Sequence, residues 1–395
     1  MDKHMKFSLD FDGVFTDESQ LDLSVVNKEW FFWSERSVMY FPMRKGIRQI
    51  ASLLNFFGEL IITTARPVSH HETIKKWLDV NAPELSNIRI ISSGNSHKTA
   101  ILKSEDVSIH IDDDFINASH EHNEIPFTII WSYESPSEII NTVVKSINDA
   151  LQRKSNDISI SVLALNSSTP TFLINKKNVL TKLKIFQEAE DKERVKMFYE
   201  VAFKLDENVF LPEAINWFPL AMESFFVEGI LAQNTTSIER CSAIPHLANF
   251  LSKLHSIKIQ SAEHSNKNKS HVSCAIDQFN VCLTANNKIA LIDVGDCVIS
   301  NKWLDIIWTE QLYCSNDDER NLLVEHYAKD MKQIPTKEEI KNALREYYSW
   351  LHFIIASGRN WNTKDKDRVS VSNYLAELRA SPPQNSILFK LCNQE

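Results

Sequence analysis

Glycine is scarce in this chain: seven in 395 residues, at positions 13, 46, 58, 94, 229, 295 and 358. No Gly-x-Gly-x-x-Gly and no Gly-x-x-x-x-Gly-Lys-[Ser/Thr] can be assembled from them. The usual dinucleotide-binding and P-loop signatures are therefore missing. The six cysteines (241, 274, 282, 297, 314 and 392) all lie in the second half and form no Cys-x-x-Cys pair. That disfavours a zinc site and fits free thiols in a reducing cytoplasm. No run of 18 apolar residues marks a membrane span, and the polar N-terminus lacks a signal-peptide pattern. Basic excess is lacking too: 43 Lys and Arg face 52 Asp and Glu, a net charge of -9. This disfavours a general nucleic-acid binder. What remains is a globular composition, 43% hydrophobic and 24% charged. Its length makes two domains the expectation.

One stretch organises the reading: Lys6 to Asp17, Lys-Phe-Ser-Leu-Asp-Phe-Asp-Gly-Val-Phe-Thr-Asp. Phe7 to Leu9 read as the end of a buried strand. Asp10 and Asp12 are two apart, and residues two apart in an extended segment point the same way. Two such carboxylates repel unless a cation or a shared proton relieves them. A Mg²⁺ site in which one Asp attacks phosphorus is the economical reading. An ordinary Asp-Gly turn is the alternative, so downstream partners decide.

An aromatic-rich insert follows, Trp30 to Trp33 through Tyr40 and Phe41, as core or partner surface. Ile47, Ile50, Leu53 and Leu54 repeat at helical spacing, and Gly58 ends that helix. Glu59 onward is a short strand emptying into Thr63, Thr64 and Arg66. A helix is expected over 70–81 and a strand over 87–91. Lys98 stands at a helix start. Strand 107–111 ends in Asp112, Asp113 and Asp114, and strand 127–131 precedes a helix over 136–152. Alternating strands and helices predict an α/β, doubly wound, Rossmann-like domain. Ligands of such sheets bind beyond the carboxyl ends of the strands, where each of these polar groups falls.

The ordered set of Asp10-Phe-Asp12-Gly-Val, Thr64, Lys98 and Asp112 to Asp114 resembles the signature of haloacid dehalogenase-superfamily phosphatases. The resemblance implies that Asp10 is the nucleophile, forming an aspartyl-phosphate. It makes Asp12 the acid and then the base. Mg²⁺ would be held by Asp10, the backbone carbonyl of Asp12 and the third cluster, with Asp112 and Asp113 preferred. Thr64 and Lys98 would bind phosphoryl oxygens. Thr64 is preferred to Thr63 as nearer the strand exit, while a helix-capping Thr64 stays open. Arg66 would touch substrate or cap a neighbouring element. The insert after the first motif is small. The implied pocket is open to a bulky phosphomonoester, or to a lid from another subunit of an oligomer or from the second half.

The second half, beyond a boundary near Ser155, reads as paired strands over 162–174 and a strand 179–185 carrying Lys182 and Lys184. A helix follows with Val195, Phe198, Val201 and Ala202 on one face, then a strand over 221–229. The next helix spans 244–255. His255 there occupies a favourable position for a charge at a helix C-terminus. Asn280, Asp293 and a helical region from Trp303 complete the order. It resembles the kinase-like fold of the aminoglycoside phosphotransferase and choline kinase group, an α+β domain. That implies Lys182 (or Lys184) on nucleotide phosphates paired with Glu200, Met222 to Gly229 as a hinge, and Asn280 and Asp293 on Mg²⁺. Asp305 would brace the site. The family's catalytic Asp, five residues before that Asn, is Ala275 here, and Asp277 is on the wrong spacing.

The expectation is thus a Mg²⁺-dependent phosphatase domain, 1–154, fused to a kinase-like domain, 155–395, that binds ATP or a related metabolite. A working bifunctional kinase and phosphatase is the first rival. A regulatory protein with degenerate sites is the second, and Ala275 favours it in the second half.

Overall fold

The computed structural model describes residues 5–17, 34–94, 97–114, 125–132, 134–154, 157–165, 169–257, 271–295, 297–331 and 335–356. For His271, Lys337 and 351–356 it describes the backbone alone. The expectations placed on Trp30 to Trp33 and Ser155, and the positions Gly358 and Cys392, lie outside the described residues. The chain divides into two compact units. One comprises residues 1–189 and 215–223, the other 190–214 and 224–395.

The first unit opens with β1 (Lys6–Asp10), α1 (Ile47–Phe57), β2 (Glu59–Thr64) and α2 (His71–Asn81). β3 (Arg89–Ser92), α3 (Thr99–Ser104), β4 (Val107–Asp112), β5 (Phe127–Ile130) and α4 (Pro136–Lys154) follow. The five strands form a parallel sheet of order β3-β2-β1-β4-β5, with β1 central. Both faces are covered, as a parallel sheet requires. Leu60 and Ile62 join the large core with Trp77 of α2, whereas Ile61 between them packs with Leu102 of α3 and Val107. Each fully buried side chain of this kind contributes about 1.5–3 kcal/mol. Gly58 ends α1 as expected, but in an extended conformation (φ -171) rather than a left-handed one. Its small size is required because a Cβ there would lie 2.2 Å from the Met5 carbonyl oxygen.

Three antiparallel strands come next: β6 (Ile158–Ala164), β7 (Thr171–Lys176) and β8 (Val179–Ile185). Lys177 and Asn178, at φ +52 and +65, make the two-residue turn between β7 and β8. Positive φ at both positions matches the twist of a hairpin. The chain then runs through α5 (Ala189–Ala202) and β9 (Val209–Phe210) and returns with β10 (Ala214–Trp217) and β11 (Ala221–Phe225). The second sheet has the order β10-β11-β8-β7-β6. Ile160, Phe172, Ile174, Leu183, Ile185 and Ala221 share one core with the parallel sheet. The first unit therefore extends to residue 189, past the sequence junction near 155. β10 had no expectation in the sequence.

In the second unit, β12 (Ile230–Leu231) leads to α6 (Ser237–Ser256) and β13 (His271–Ser273). β14 (Val281–Leu283), β15 (Ile289–Leu291) and β16 (Val298–Ser300) precede α7 (Lys302–Leu312), α8 (Asp317–Met331) and α9 (Lys337–Ala356). α6 begins seven residues before the expected 244. Thr236 and Glu239 form a reciprocal capping box there, satisfying orphan backbone donors. No helix among the described residues is long and apolar enough to cross a membrane.

Candidate functional site

Parallel pairing places the ends of β1, β2, β3 and β4 on one edge of the first sheet. Asp10 pairs with Thr63, Thr64 with Ser92, and Leu9 with Ile111. Asp10 and Asp112 are each the last residue of a strand, while Lys98 caps the start of α3. β1, β2 and β4 are buried along nearly their whole length, and they close on the buried polar residues Asp10, Thr64 and Asp112.

Lys98 is the hinge of the arrangement. Its buried Nζ lies 2.9 Å from Asp10 Oδ2 and 2.6 Å from Asp112 Oδ2. Asp10 Oδ1 accepts from the Phe11 backbone N–H at 2.8 Å. Asp10, Asp112 and Asp113 each offer a carboxylate oxygen within 4.8 Å of the others. Burial pushes the Asp10 carboxyl well above its usual range, and the charges of Asp112 and Asp12 add to this against Lys98. Burial, then Asp112, raises Asp113 to about 6. Asp112 is held well below the usual range, because its His110 hydrogen bond and Lys98 outweigh burial. Burial opposes the charge of Lys98, but Asp10 and Asp112 together hold its pKa high.

Three carboxylates against one lysine leave negative charge in a buried place. An all-oxygen set of this kind suits a hard divalent cation such as Mg²⁺. Gly13 supports that fit. It sits at φ +76, and a Cβ on it would lie 2.0 Å from Asp113 Oδ2. The missing side chain is the room Asp113 occupies.

The Asp12 carboxylate lies outside the three-residue cluster, and the ligand expected from Asp12 is its backbone carbonyl. Thr64 Oγ1 donates to Asp12 Oδ2 at 3.3 Å, and Arg66 Nε donates to Asp12 Oδ1 at 2.8 Å. Burial raises the Asp12 pKa, and Arg66 pulls against that rise. Thr63 instead pairs its hydroxyl with Ser8 at 3.0 Å, away from Asp12. Thr64 is no helix cap; its hydroxyl accepts from the Arg66 backbone N–H at 3.1 Å. Asp114 is exposed and donates its backbone N–H to Asp112 Oδ1.

Two residues here had no place in the sequence reading. His110 Nε2 lies 3.2 Å from Asp112 Oδ2. Its position two residues earlier on the same strand puts it on the same face, which is a legible signal. Arg44 donates to the carbonyls of Gly13 (2.6 Å), Trp131 and Ser132, tying the first motif to the end of β5. Nothing in the local sequence marks it.

Lys182 and Lys184 lie on β8, opposite the face that packs Leu183 and Ile185. Lys184 is the buried one and Lys182 is half-buried. Both belong to the first unit, and Glu200, Asn280 and Asp293 to the second. Glu200 is exposed on α5, off its buried stripe of Val195, Phe198 and Tyr199. Pairing of β14 with β15 brings the Asn280 and Asp293 loops together: the Ile292 N–H donates to the Asn280 carbonyl at 2.8 Å. Asp277 accepts from the backbone N–H groups of Phe279 and Asn280, both at 2.7 Å, and shapes that loop. Ala275 is buried, and its carbonyl accepts from Asn280 Nδ2.

His255 is buried in the last turn of α6, and burial lowers its pKa to about 3. Its Nε2 is 2.9 Å from Asp305 and its Nδ1 2.8 Å from the Tyr327 hydroxyl. Asp305 in turn accepts the Cys274 backbone N–H at 2.8 Å, bracing the segment that carries Ala275.

A scan against protein-family models finds no match for the chain, and a search of curated proteins finds none. Solved structures that resemble it include an ADP-bound aminoglycoside phosphotransferase. That structure is 14% identical, covers 62% of this chain and 98% of its own, and has a TM-score of 0.42. An ethanolamine kinase of Plasmodium vivax is 12% identical over 64% of this chain and 96% of its own, at a TM-score of 0.42. A macrolide 2'-phosphotransferase of Brachybacterium faecium is 10% identical over 61% and 99%, at 0.41.

Proposed function

We propose that the first unit hydrolyses a small-molecule phosphomonoester. The observation that carries this reading is Lys98 held between Asp10 and Asp112, with Asp113 beside them and Asp12 across from Thr64. A carboxylate nucleophile, a separate acid and a buried cation are what phosphoryl transfer through an enzyme ester needs.

In this reading an Asp10 carboxylate oxygen attacks phosphorus and the bond to the leaving oxygen breaks. Asp12 gives that oxygen its proton. Asp12 then takes a proton from water, whose oxygen attacks the aspartyl-phosphate and releases phosphate and free Asp10. Lys98 and Thr64 offset charge on the phosphoryl oxygens. Asp10, Asp112 and Asp113 would hold Mg²⁺, which when bound neutralises negative charge around the phosphoryl group. The test is phosphate release from a panel of phosphomonoesters with Mg²⁺. Turnover by Asp10→Asn equal to that of the parent would reject the mechanism.

For the second unit we infer nucleotide binding without phosphoryl transfer. The Asn280 and Asp293 loops meet beside Ala275, where a methyl group stands at the position of the base. ATP with Mg²⁺ is expected to bind, and Asp293→Ala to abolish binding. ATP consumption stimulated by a small alcohol would instead favour the bifunctional rival.

A further inference from the structure

Arg66 is completely buried, while the Asp12 side chain is 13% exposed. Asp12 is therefore the more accessible member of the pair, and the guanidinium directs its donors to Asp12 and to residues 34–37. The grip is multiple. Nε is 2.8 and 3.1 Å from the two carboxylate oxygens, and Nη2 is 2.8 Å from Oδ1. The rest of the guanidinium is anchored by the segment that follows the first motif. Nη1 donates to the Ser34 carbonyl at 3.4 Å and to Ser37 Oγ at 3.5 Å, and the Phe41 ring lies 5.4 Å from Cζ. Thr64 closes the loop, accepting from Arg66 N–H and donating to Asp12.

From this geometry we propose that Arg66 is the positioning residue of the acid. It fixes the Asp12 carboxylate toward the leaving oxygen and is itself fixed by residues 34–41. The inference rests on the phosphatase reading above. A planar fork held on several sides constrains a carboxylate's rotation in a way a flexible ammonium does not. In the first step its role is orientation of a proton donor, so its loss slows phosphoryl transfer to Asp10 only where the leaving oxygen needs that proton; kcat/KM reports that step without the later attack of water.

That condition supplies the experiment. Two probes are compared with Mg²⁺ on the full chain: β-glycerophosphate, whose alkoxide leaves poorly, and 2,4-dinitrophenyl phosphate, whose phenolate leaves without protonation. Arg66→Met is expected to lower kcat/KM on β-glycerophosphate by about 100-fold, the lower end of a general acid's contribution. It should leave kcat/KM on dinitrophenyl phosphate nearly unchanged. Arg66→Lys, which keeps the charge and guards against misfolding, should show the same selective loss in smaller measure. Equal losses on both probes overturn the proposal and leave the phosphatase reading standing if Asp10→Asn is inactive. An active Asp10→Asn, or a parent chain inactive on both probes, removes the reading and the inference together.

Discussion

A side chain on Gly13 would occupy the space that the Asp113 carboxylate fills, 2.0 Å from its Oδ2. Gly13 also holds φ +76, where an L side chain is strained. Gly13→Ala is therefore expected to displace Asp113 and open the three-carboxylate cluster. Divalent-cation affinity should fall by about 10–100-fold, the scale of losing support for a ligand. Titration of Mn²⁺ by calorimetry or electron paramagnetic resonance reads this directly. Unchanged affinity would mean that Asp113 is no ligand.

Lys98 offsets two buried carboxylates at once. Replacing it by Met leaves Asp10 and Asp112 facing each other without a cation. Turnover should drop by about 10²–10³-fold, as for other single groups that stabilise transition-state charge. The metal-free variant should also melt at a lower temperature. Mg²⁺ bound at the proposed site would supply the missing positive charge, so it should raise the Tm of Lys98→Met more than that of the parent. An equal rise in both would show that Lys98 and the cation do not share these carboxylates.

The first sheet was legible because its strands are short, rich in β-branched apolar residues, and several close on polar ones, as at Thr64 and Asp112. The same property exposed the candidate site, since parallel strands bring their ends to one edge. What stayed hidden depended on contacts across the fold. Arg66 looked like a substrate ligand or a cap, and its contacts with Asp12, Ser34 and Ser37 depend on the fold rather than on local sequence. His255 looked like a charged helix end until Asp305 and Tyr327 enclosed it. α6 was begun too late because the apolar period starts at Ile244, although Thr236-Ser-Ile-Glu239 already spelled a capping box. β10 has no buried residue, which removes the pattern that strand reading depends on.

Arg48 joins α1 to Glu84 through two hydrogen bonds, at 2.7 and 2.9 Å, with both side chains largely buried. Its third contact, Glu188, is half exposed. Arg48→Met strands Glu84 as a buried, unpaired carboxylate, at a cost of about 3–5 kcal/mol. Glu188→Gln should cost no more than about 1 kcal/mol, as water already screens that partner. The double change Arg48→Met with Glu84→Met removes both charges and should recover much of the loss. Urea denaturation of the four proteins separates these cases. A double variant as unstable as Arg48→Met alone would assign the loss to packing of the arginine stem.

Glu105 gives the first unit an acid-sensitive joint. It accepts from Arg89 at 2.8 Å and from Lys6 at 3.2 Å, and Arg89 in particular lowers its pKa from the ordinary 4.5 to about 2. A carboxyl with a depressed pKa in the folded state favours folding wherever the unfolded chain binds more protons. The contribution is therefore complete above about pH 4.5 and lost as the pH falls toward about 2. Arg89 is 46% exposed, so salt should weaken the effect at every pH. Glu105→Gln is expected to be less stable than the parent at pH 7 and closer to it at pH 3, by denaturant midpoints at low ionic strength. A gap of the same size at both values would show that the ionised carboxylate contributes nothing beyond the shape of its side chain.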